Sequence, residues 1–181
     1  GLCIGANTAI FSVLHAVILS PLPFPEPDRL VSMGNIYPGV GLAKSSQNSI
    51  PDYLDRRKMN DVFESVALYT DTGFDAGAEG SPVRLKGDLI TPSYFHVLRA
   101  TPTMGRVFTE DDAVFDKNYY VILSYGLWKE MFGKDGAILG KDVRLSAVNY
   151  RVVGVMPEAF AVPGREARFW VPLTWPARST T

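Results

Sequence analysis

The sequence has few of the residues from which most active sites are built. It contains one cysteine, Cys3, and two histidines, His15 and His96, which stand far apart. A single cysteine excludes an intramolecular disulfide and any zinc cluster built from several cysteines. No GxSxG motif is present, so nothing indicates a nucleophilic triad. We therefore predict no catalytic, cofactor-binding or metal-binding residues.

The sequence also lacks an excess of either positive or negative charge. The 181 residues include 18 Lys and Arg and 19 Asp and Glu, and both signs are interspersed. Without a basic field, the sequence does not indicate a nucleic-acid partner. The hydrophobic fraction of 46% argues against disorder, and the length allows one ordinary domain or two small ones. No internal repeat is visible.

The first 25 residues contain no Asp, Glu, Lys or Arg. Ile4 to Leu19 predicts a helix, and the roughly 19 residues up to Leu19 would span about 28 Å, close to a hydrocarbon core of about 30 Å. Because no basic region precedes it here, we do not expect it to be a signal peptide. We expect a membrane helix that turns a polar stripe toward other helices, formed by Asn7, Thr8, Ser12 and His15. An amphipathic core helix of a soluble domain is the alternative.

Prolines alternate directly after this segment, at Pro21, Pro23, Pro25 and Pro27. Proline lacks a backbone donor, so these residues end the helix. Alternating prolines also favour polyproline geometry, in which the seven positions would make a stiff strut of roughly 20 Å. Two interpretations stay open: a simple helix stop, or a strut that transmits helix displacement to the rest of the protein.

The clearest secondary structure lies between Tyr119 and Pro157. A strand to Leu123 is followed by Ser124 as a helix N-cap, and the helix has an apolar face. Gly133 stands where a left-handed C-cap needs a residue without Cβ. Two further strands, Lys141 to Leu145 and Tyr150 to Met156, are joined by a turn that carries Asn149. We expect the core to be anchored by Trp128, Phe132, Tyr94 and Phe95.

Other elements are predicted from helix caps, from prolines and from the alternation of apolar and polar residues. We predict helices from Ser49 to Met59 and from Pro92 to Leu98. Asp75 to Ser81 is expected to be a turn. The predicted strands are Arg29 to Ile36, one within Val62 to Phe74, Pro82 to Ile90, and Arg168 to Leu173.

Three sequence patterns are candidate binding sites. Gly39, Gly41, Lys44 and Ser45 resemble the end of a P-loop, but Ala43 replaces the glycine before the lysine, so a loop is the better interpretation. The run Glu110 to Asp112 lacks the ligand spacing of a calcium loop, and it follows Thr109 as a helix start would. The basic run Arg56 to Lys58 predicts a solvated helix face.

Five segments, in this order, resemble the periplasmic core domain of MacB-like ABC transporter permeases. They cover most of the chain, and the nearest form is the large duplicated permease common in acidobacteria. The segments are GANTAIFSVLHAVILSPLPFPEPDRLV, SIPDYLDRR, VRLKGDLITPSYFHVLRATPTMGRVFTEDD, VILSYGLWKEMFGKDGAILGKDVRL and YRVVGVMPEAF.

The resemblance implies an α+β fold, a mixed sheet with helices divided into porter and sabre parts. The strands from Lys141 onward would belong to the sabre part. Residues 1–20 would be the outer end of the first transmembrane helix, and residues 21–181 an incomplete core domain. The chain is thus expected to be a fragment of a longer protein.

The resemblance also implies the function. The domain would perform no chemistry and would couple cytoplasmic ATP hydrolysis to substrate export or extraction by conformational transmission. Its expected location is outside the cytoplasm, on the inner membrane. The implied partners are a cytoplasmic ABC ATPase, a second permease unit or half, lipid around residues 1–19, and a periplasmic or outer-membrane protein. We assign structural or coupling roles to Pro21, Pro23, Pro25, Pro27, Trp128 and Gly133.

Two other functions stay open from the residues alone. One is an extracytoplasmic module that binds a ligand or a protein without transport. The other is a soluble hydrolase built on His96 and an acidic residue. Further apolar segments beyond Thr181 would favour the transporter.

Overall fold

A computed structural model of the protein describes residues 24–34, 48–59, 61–76, 83–115 and 119–175. Several predicted features lie outside the described residues: the membrane helix with Cys3 and His15, the residues Pro21 and Pro23, and the P-loop-like segment. Within the described ranges, no helix is long and apolar enough to cross a membrane.

The helices of the described chain begin where the sequence places caps. Helix α1 (Ile50–Lys58) starts with a capping box, in which the Ser49 hydroxyl accepts from the Asp52 N–H. Helix α2 is the short Tyr94–Val97. Helix α3 (Tyr125–Phe132) is capped by Ser124 and ends at Gly133, whose φ of 57° is left-handed. The caps of α1 and α3 confirm these two predicted helices, because each cap satisfies backbone groups that a helix end leaves unpaired, whereas Ser93 before α2 makes no side-chain cap bond.

The strands form one mixed sheet. Across the described residues its order is β3-β6-β4-β7-β2-β1-β5. Parallel pairs join β2 to β7 and β4 to β6, and the other neighbours are antiparallel. The bounds are β1 Tyr69–Ala76, β2 Val83–Ile90, β3 Met104–Gly105, β4 Tyr120–Leu123, β5 Asp142–Leu145, β6 Val148–Val155 and β7 Phe169–Pro172.

The sheet closes into a barrel. Strand β6 pairs with β5 as well as with β4, and β5 meets β1 where Ala76 lies opposite Leu145. The strands β6, β4, β7, β2, β1 and β5 therefore form a ring, and β3 adds to the outside edge of β6. The strands after Lys141 are part of this same ring, so the strand pairing shows no division of the sheet at Lys141.

Side chains that alternate between the two faces of each strand fill the barrel interior. In β7, Phe169 and Val171 point into the interior cluster, whereas Trp170 joins a second cluster on the outside. Both faces of β4 and β7 are buried, which is why both strands are continuous apolar runs in the sequence. Each strand of the ring contributes to the interior: Ala76, Leu85, Val121, Leu123, Val143, Leu145, Val152, Val155, Phe169 and Val171.

A bulge adjusts this alternation in β6. Val121 lies opposite Val152, but the next residue, Ile122, lies opposite Gly154. The extra residue, Val153, shifts the pleat by one position. As a result Val152 and Val155 both point into the barrel although they are three positions apart.

One predicted strand and one predicted turn are wrong. In the strand predicted from Arg29 to Ile36, Arg29 lies in a 3-10 turn and residues 30–34 form no strand, while residues 35 and 36 lie outside the described residues. The hairpin turn is Ser146–Ala147, with φ of 46° and 67°, and Asn149 pairs with Arg144 inside the hairpin. Ser146 can hold this left-handed turn because it exchanges two hydrogen bonds with Asp75.

The same contact corrects the start of the turn expected from Asp75 to Ser81, whereas residues 77–81 lie outside the described part of the chain. Strand β1 continues to Ala76, since that residue closes the barrel against β5.

Trp128 should be a principal anchor of the interior. Its side chain is 8% exposed, belongs to the interior cluster and donates an indole N–H bond of 3.0 Å to the Asp135 carbonyl. We expect Trp128→Ala to lower the free energy of unfolding by about 3–5 kcal/mol. Met131→Ala, on the exposed side of the same helix, should change it by about 1 kcal/mol or less. Urea denaturation compares the two, and an unchanged midpoint for Trp128→Ala would contradict this packing.

Candidate functional site

The described chain begins with a residue that is fixed to the barrel. Phe24 is 9% exposed, and its ring centroid lies 6.1 Å from that of Phe160. Phe160 in turn contacts Phe95 and Trp170, with centroids 5.7 and 5.5 Å away. The segment of alternating prolines thus joins the outer cluster directly, through Phe24, which lies between Pro23 and Pro25 in the sequence.

The chain turns sharply after Phe24 instead of staying extended. Glu26 has φ 54° and ψ 53°, in the left-handed region, and Pro27–Arg29 form one 3-10 turn. The Arg29 N–H donates to the Glu26 carbonyl at 3.0 Å, and Leu30 to Pro27 at 3.1 Å. A polyproline strut that continues through Pro27 is therefore wrong. Proline suits the first position of this turn, because its φ is already helical and no N–H is needed there.

Four charged side chains hold this turn against the rest of the domain. Arg29 bonds Glu26 at 2.8 Å and Glu64 at 3.2 Å. Arg99 reaches the same two carboxylates, at 3.2 and 3.3 Å. The four side chains are 40–63% exposed, so water screens each pair and its contribution to stability is small. We call the group the N-terminal clamp: Phe24, Glu26 and Arg29 with Phe160, Glu64 and Arg99.

A buried ion pair forms a second polar centre. Asp88 of β2 is buried and accepts two hydrogen bonds from the Arg165 guanidinium, one of 3.0 Å from Nε. The same guanidinium lies 4.4 Å over the ring of Tyr69. Burial raises the pKa of the neighbouring Tyr94 hydroxyl far above its usual range, and the Asp88 charge adds to this. The pair fixes the loop before β7 to β2.

An open cleft of about 640 Å³ lies beside this pair. Its walls carry both signs of charge, and Lys86 and Glu166 on its rim form an ion pair. In the described part of the chain, no three His, Cys, Asp or Glu side chains are grouped to hold a metal ion.

The acidic run begins a 3-10 turn, as its capping interpretation predicts. Asp112 accepts from the Thr109 N–H at 2.8 Å and from Arg106 at 2.5 and 3.1 Å. Burial alone would raise the pKa of this carboxyl, but the bonds from Arg106 and Thr109 hold the pKa below its usual value. Glu110 is bound by Arg57 at 2.8 Å.

The basic run is therefore not simply a solvated face. Arg57 bonds Glu110, and Arg56 donates to Asn48 at 2.8 Å. His96 lies exposed on α2, and no hydrogen bond or ion pair joins its ring to another described side chain.

Of the six assigned coupling residues, the four that the structure describes do not lie in one site, and Pro21 and Pro23 lie outside the described residues. Pro25 and Pro27 flank Glu26 in the clamp, whereas Trp128 lies in the interior and Gly133 ends α3. Sequence reasoning missed Phe24, Glu64 and Arg99. The spacing of Glu26 and Arg29 was the one local signal, because side chains three apart can pair across one helical turn.

The capping role of Asp112 is tested by the substitution Asp112→Asn, and calcium binding is tested by the effect of calcium on Tm. Because the folded-state pKa of Asp112 is lowered, its carboxylate stabilises the fold above the unfolded pKa of about 3.9 and loses this effect as pH falls through the folded value. We expect Asp112→Asn to cost about 1–2 kcal/mol at pH 7 and nothing in strong acid. Urea unfolding against pH measures this. Calcium should leave Tm unchanged, and a rise in Tm with calcium would contradict capping.

Comparison with protein families gives one match over the full chain. The family described as "MacB-like periplasmic core domain" matches residues 1–181. A curated relative, the macrolide export ATP-binding/permease protein MacB of Bdellovibrio bacteriovorus, is 30% identical over 69 residues. That match covers 38% of this chain and 10% of the relative.

Two solved structures share the fold. The periplasmic region of MacB from Actinobacillus actinomycetemcomitans superposes with a TM-score of 0.58 at 23% identity, over 81% of this chain and 64% of that one. The extracellular domain of the noncanonical ABC-type transporter YknZ from Gram-positive bacteria gives 0.52 at 21% identity, over 67% and 61%. At these identities the likeness concerns the fold, a mixed sheet with few helices.

Proposed function

The chain belongs to the family of MacB-like periplasmic core domains, and from this membership we propose that it couples cytoplasmic ATP hydrolysis to substrate export or extraction. The family is the extracytoplasmic domain of MacB-like ABC transporter permeases. In this proposal the domain works by conformational transmission and catalyses no reaction itself. Residues 1–20 are the outer end of the first transmembrane helix, and residues 21–181 belong to the core domain.

One observation supports transmission: the segment that leads in from the expected membrane helix is fixed to a closed barrel. A barrel with a filled interior has little room to deform, because close-packed side chains resist changes in volume. Displacement of the N-terminal segment would then move the barrel as one body. Pro21 and Pro23 keep their proposed role as a stiff connection ahead of this attachment.

The proposal includes partners that lie outside this chain. A cytoplasmic ABC ATPase supplies the energy, and a second permease unit or half completes the membrane part. Lipid surrounds residues 1–19, and a periplasmic or outer-membrane protein receives the substrate. The location is the inner membrane, with the barrel on its far side.

The test measures movement and needs no identified substrate. The full-length permease and its ATPase are reconstituted in lipid vesicles, with Cys3 and any other cysteines replaced by serine, a donor fluorophore at Met131→Cys and acceptor-labelled lipid in the bilayer. We expect energy transfer to differ between the nucleotide-free and ATP-bound states, because the barrel moves relative to the membrane. An ATPase variant that cannot bind ATP is the control and should show no difference. Equal transfer in both states, with normal ATP hydrolysis, would contradict coupling and favour a binding module.

A further inference from the structure

We propose that the N-terminal clamp is the contact that makes the segment before Phe24 and the barrel move as one unit. This inference rests on the proposed function and locates the point at which displacement enters the domain. The clamp has an apolar half at Phe24 and Phe160, and a polar half at the four charged side chains.

The apolar half leads into the ring of strands. Phe24 packs on Phe160, and Phe160 packs edge to face on Trp170. Trp170 lies opposite Ile122 of β4 and opposite Asp88 of β2. Two aromatic contacts therefore connect Phe24 to three neighbouring strands of the barrel.

The polar half prevents rotation about that contact. A single aromatic contact would let the segment pivot, whereas a second contact beside it fixes the orientation. Arg29 and Arg99 each reach both Glu26 and Glu64, so the charges alternate around a closed group. Turning the 3-10 turn away from the barrel would break the contacts of Glu26 and Arg29 together.

One clamp residue has a strained backbone. Glu26 has φ 54°, a value that residues with a side chain rarely adopt. Such conformations persist where the surrounding contacts determine them. Arg99, with φ 50°, is instead the left-handed residue of the Schellman motif that ends α2, in which the Arg99 N–H donates to the His96 carbonyl and the Ala100 N–H donates to the Phe95 carbonyl.

Because the polar half is exposed, its role in coupling can be tested without a large loss of stability. Since screened surface ion pairs stabilise a fold little, the charges can be changed while the barrel stays folded. The Lys86–Glu166 pair is the matched control, because it is a surface ion pair of 73% and 75% exposed side chains outside the clamp.

The experiment measures the distance between the N-terminal segment and the barrel. Spin labels are placed at Cys3 and at Met131→Cys in the full-length permease with its ATPase in vesicles, after any other cysteines are replaced by serine. Pulsed electron paramagnetic resonance gives the distance distribution. In the wild type we expect a narrow distribution that is the same in the nucleotide-free and ATP-bound states.

Charge reversal tests the clamp itself. Glu26→Arg with Glu64→Arg places four cations together and should broaden the distribution by roughly 10 Å or more, as expected for a freed linker of this length. Adding Arg29→Glu and Arg99→Glu restores alternating charges and should restore the narrow distribution. Glu166→Arg should leave it unchanged. If the double variant does not fold, Arg99→Gln removes one arginine only and should give an intermediate width.

The outcomes separate the clamp from the proposed function. A broad wild-type distribution, or a double variant that stays narrow, would overturn the clamp even if the barrel moves with ATP. If the barrel shows no ATP-dependent movement toward or away from the lipid, the proposed function fails whatever the width of the distribution.

Discussion

Closure of the barrel is the constraint on which the other features depend. It requires the end of β1 to meet the end of β5, and among the described residues this happens at the pair Ala76 and Leu145, next to the two bonds between Asp75 and Ser146. Once the ring is closed, its strands have no free edge within the ring, and their inward residues share one core. The outward residues of β2, β4 and β7 then have fixed positions, so the aromatic cluster that receives Phe24 is fixed as well.

Local signals in the sequence predict most of the elements. Ser49 with Asp52, and Ser124 with Gly133, define helix ends through bonds within a few residues. The position of the hairpin turn was predicted wrongly because it depends on a distant contact and not on a local signal. Ser146 and Ala147 are poor residues for a left-handed turn, and they adopt it because Asp75, from a distant strand, bonds Ser146. Contacts of this kind have no local pattern, and neither does the seam between β1 and β5.

The clamp shows the same limit at the candidate site. Alternating prolines favour an extended strut, and this interpretation omits the charge of Glu26, which lies between two of them, and the charge of Arg29, which follows the last one. Glu26 and Arg29 are bonded to each other and to residues 35 or more positions away, such as Glu64. These contacts favour a turn over an extended chain. Sequence motifs were sufficient for the family and the fold class, whereas the attachment point required the positions of Glu64, Arg99 and Phe160.

If the barrel moves as one body, locking its seam should leave that movement unchanged. Ala76→Cys and Leu145→Cys would allow a disulfide across the described pair that joins β1 to β5. Energy transfer from the barrel to labelled lipid is then compared in the reduced and oxidised full-length permease. Rigid-body movement predicts the same ATP-dependent change in energy transfer in both forms. Loss of this change on oxidation, with reversal on reduction, would show that the barrel must open at the seam and would contradict rigid-body movement.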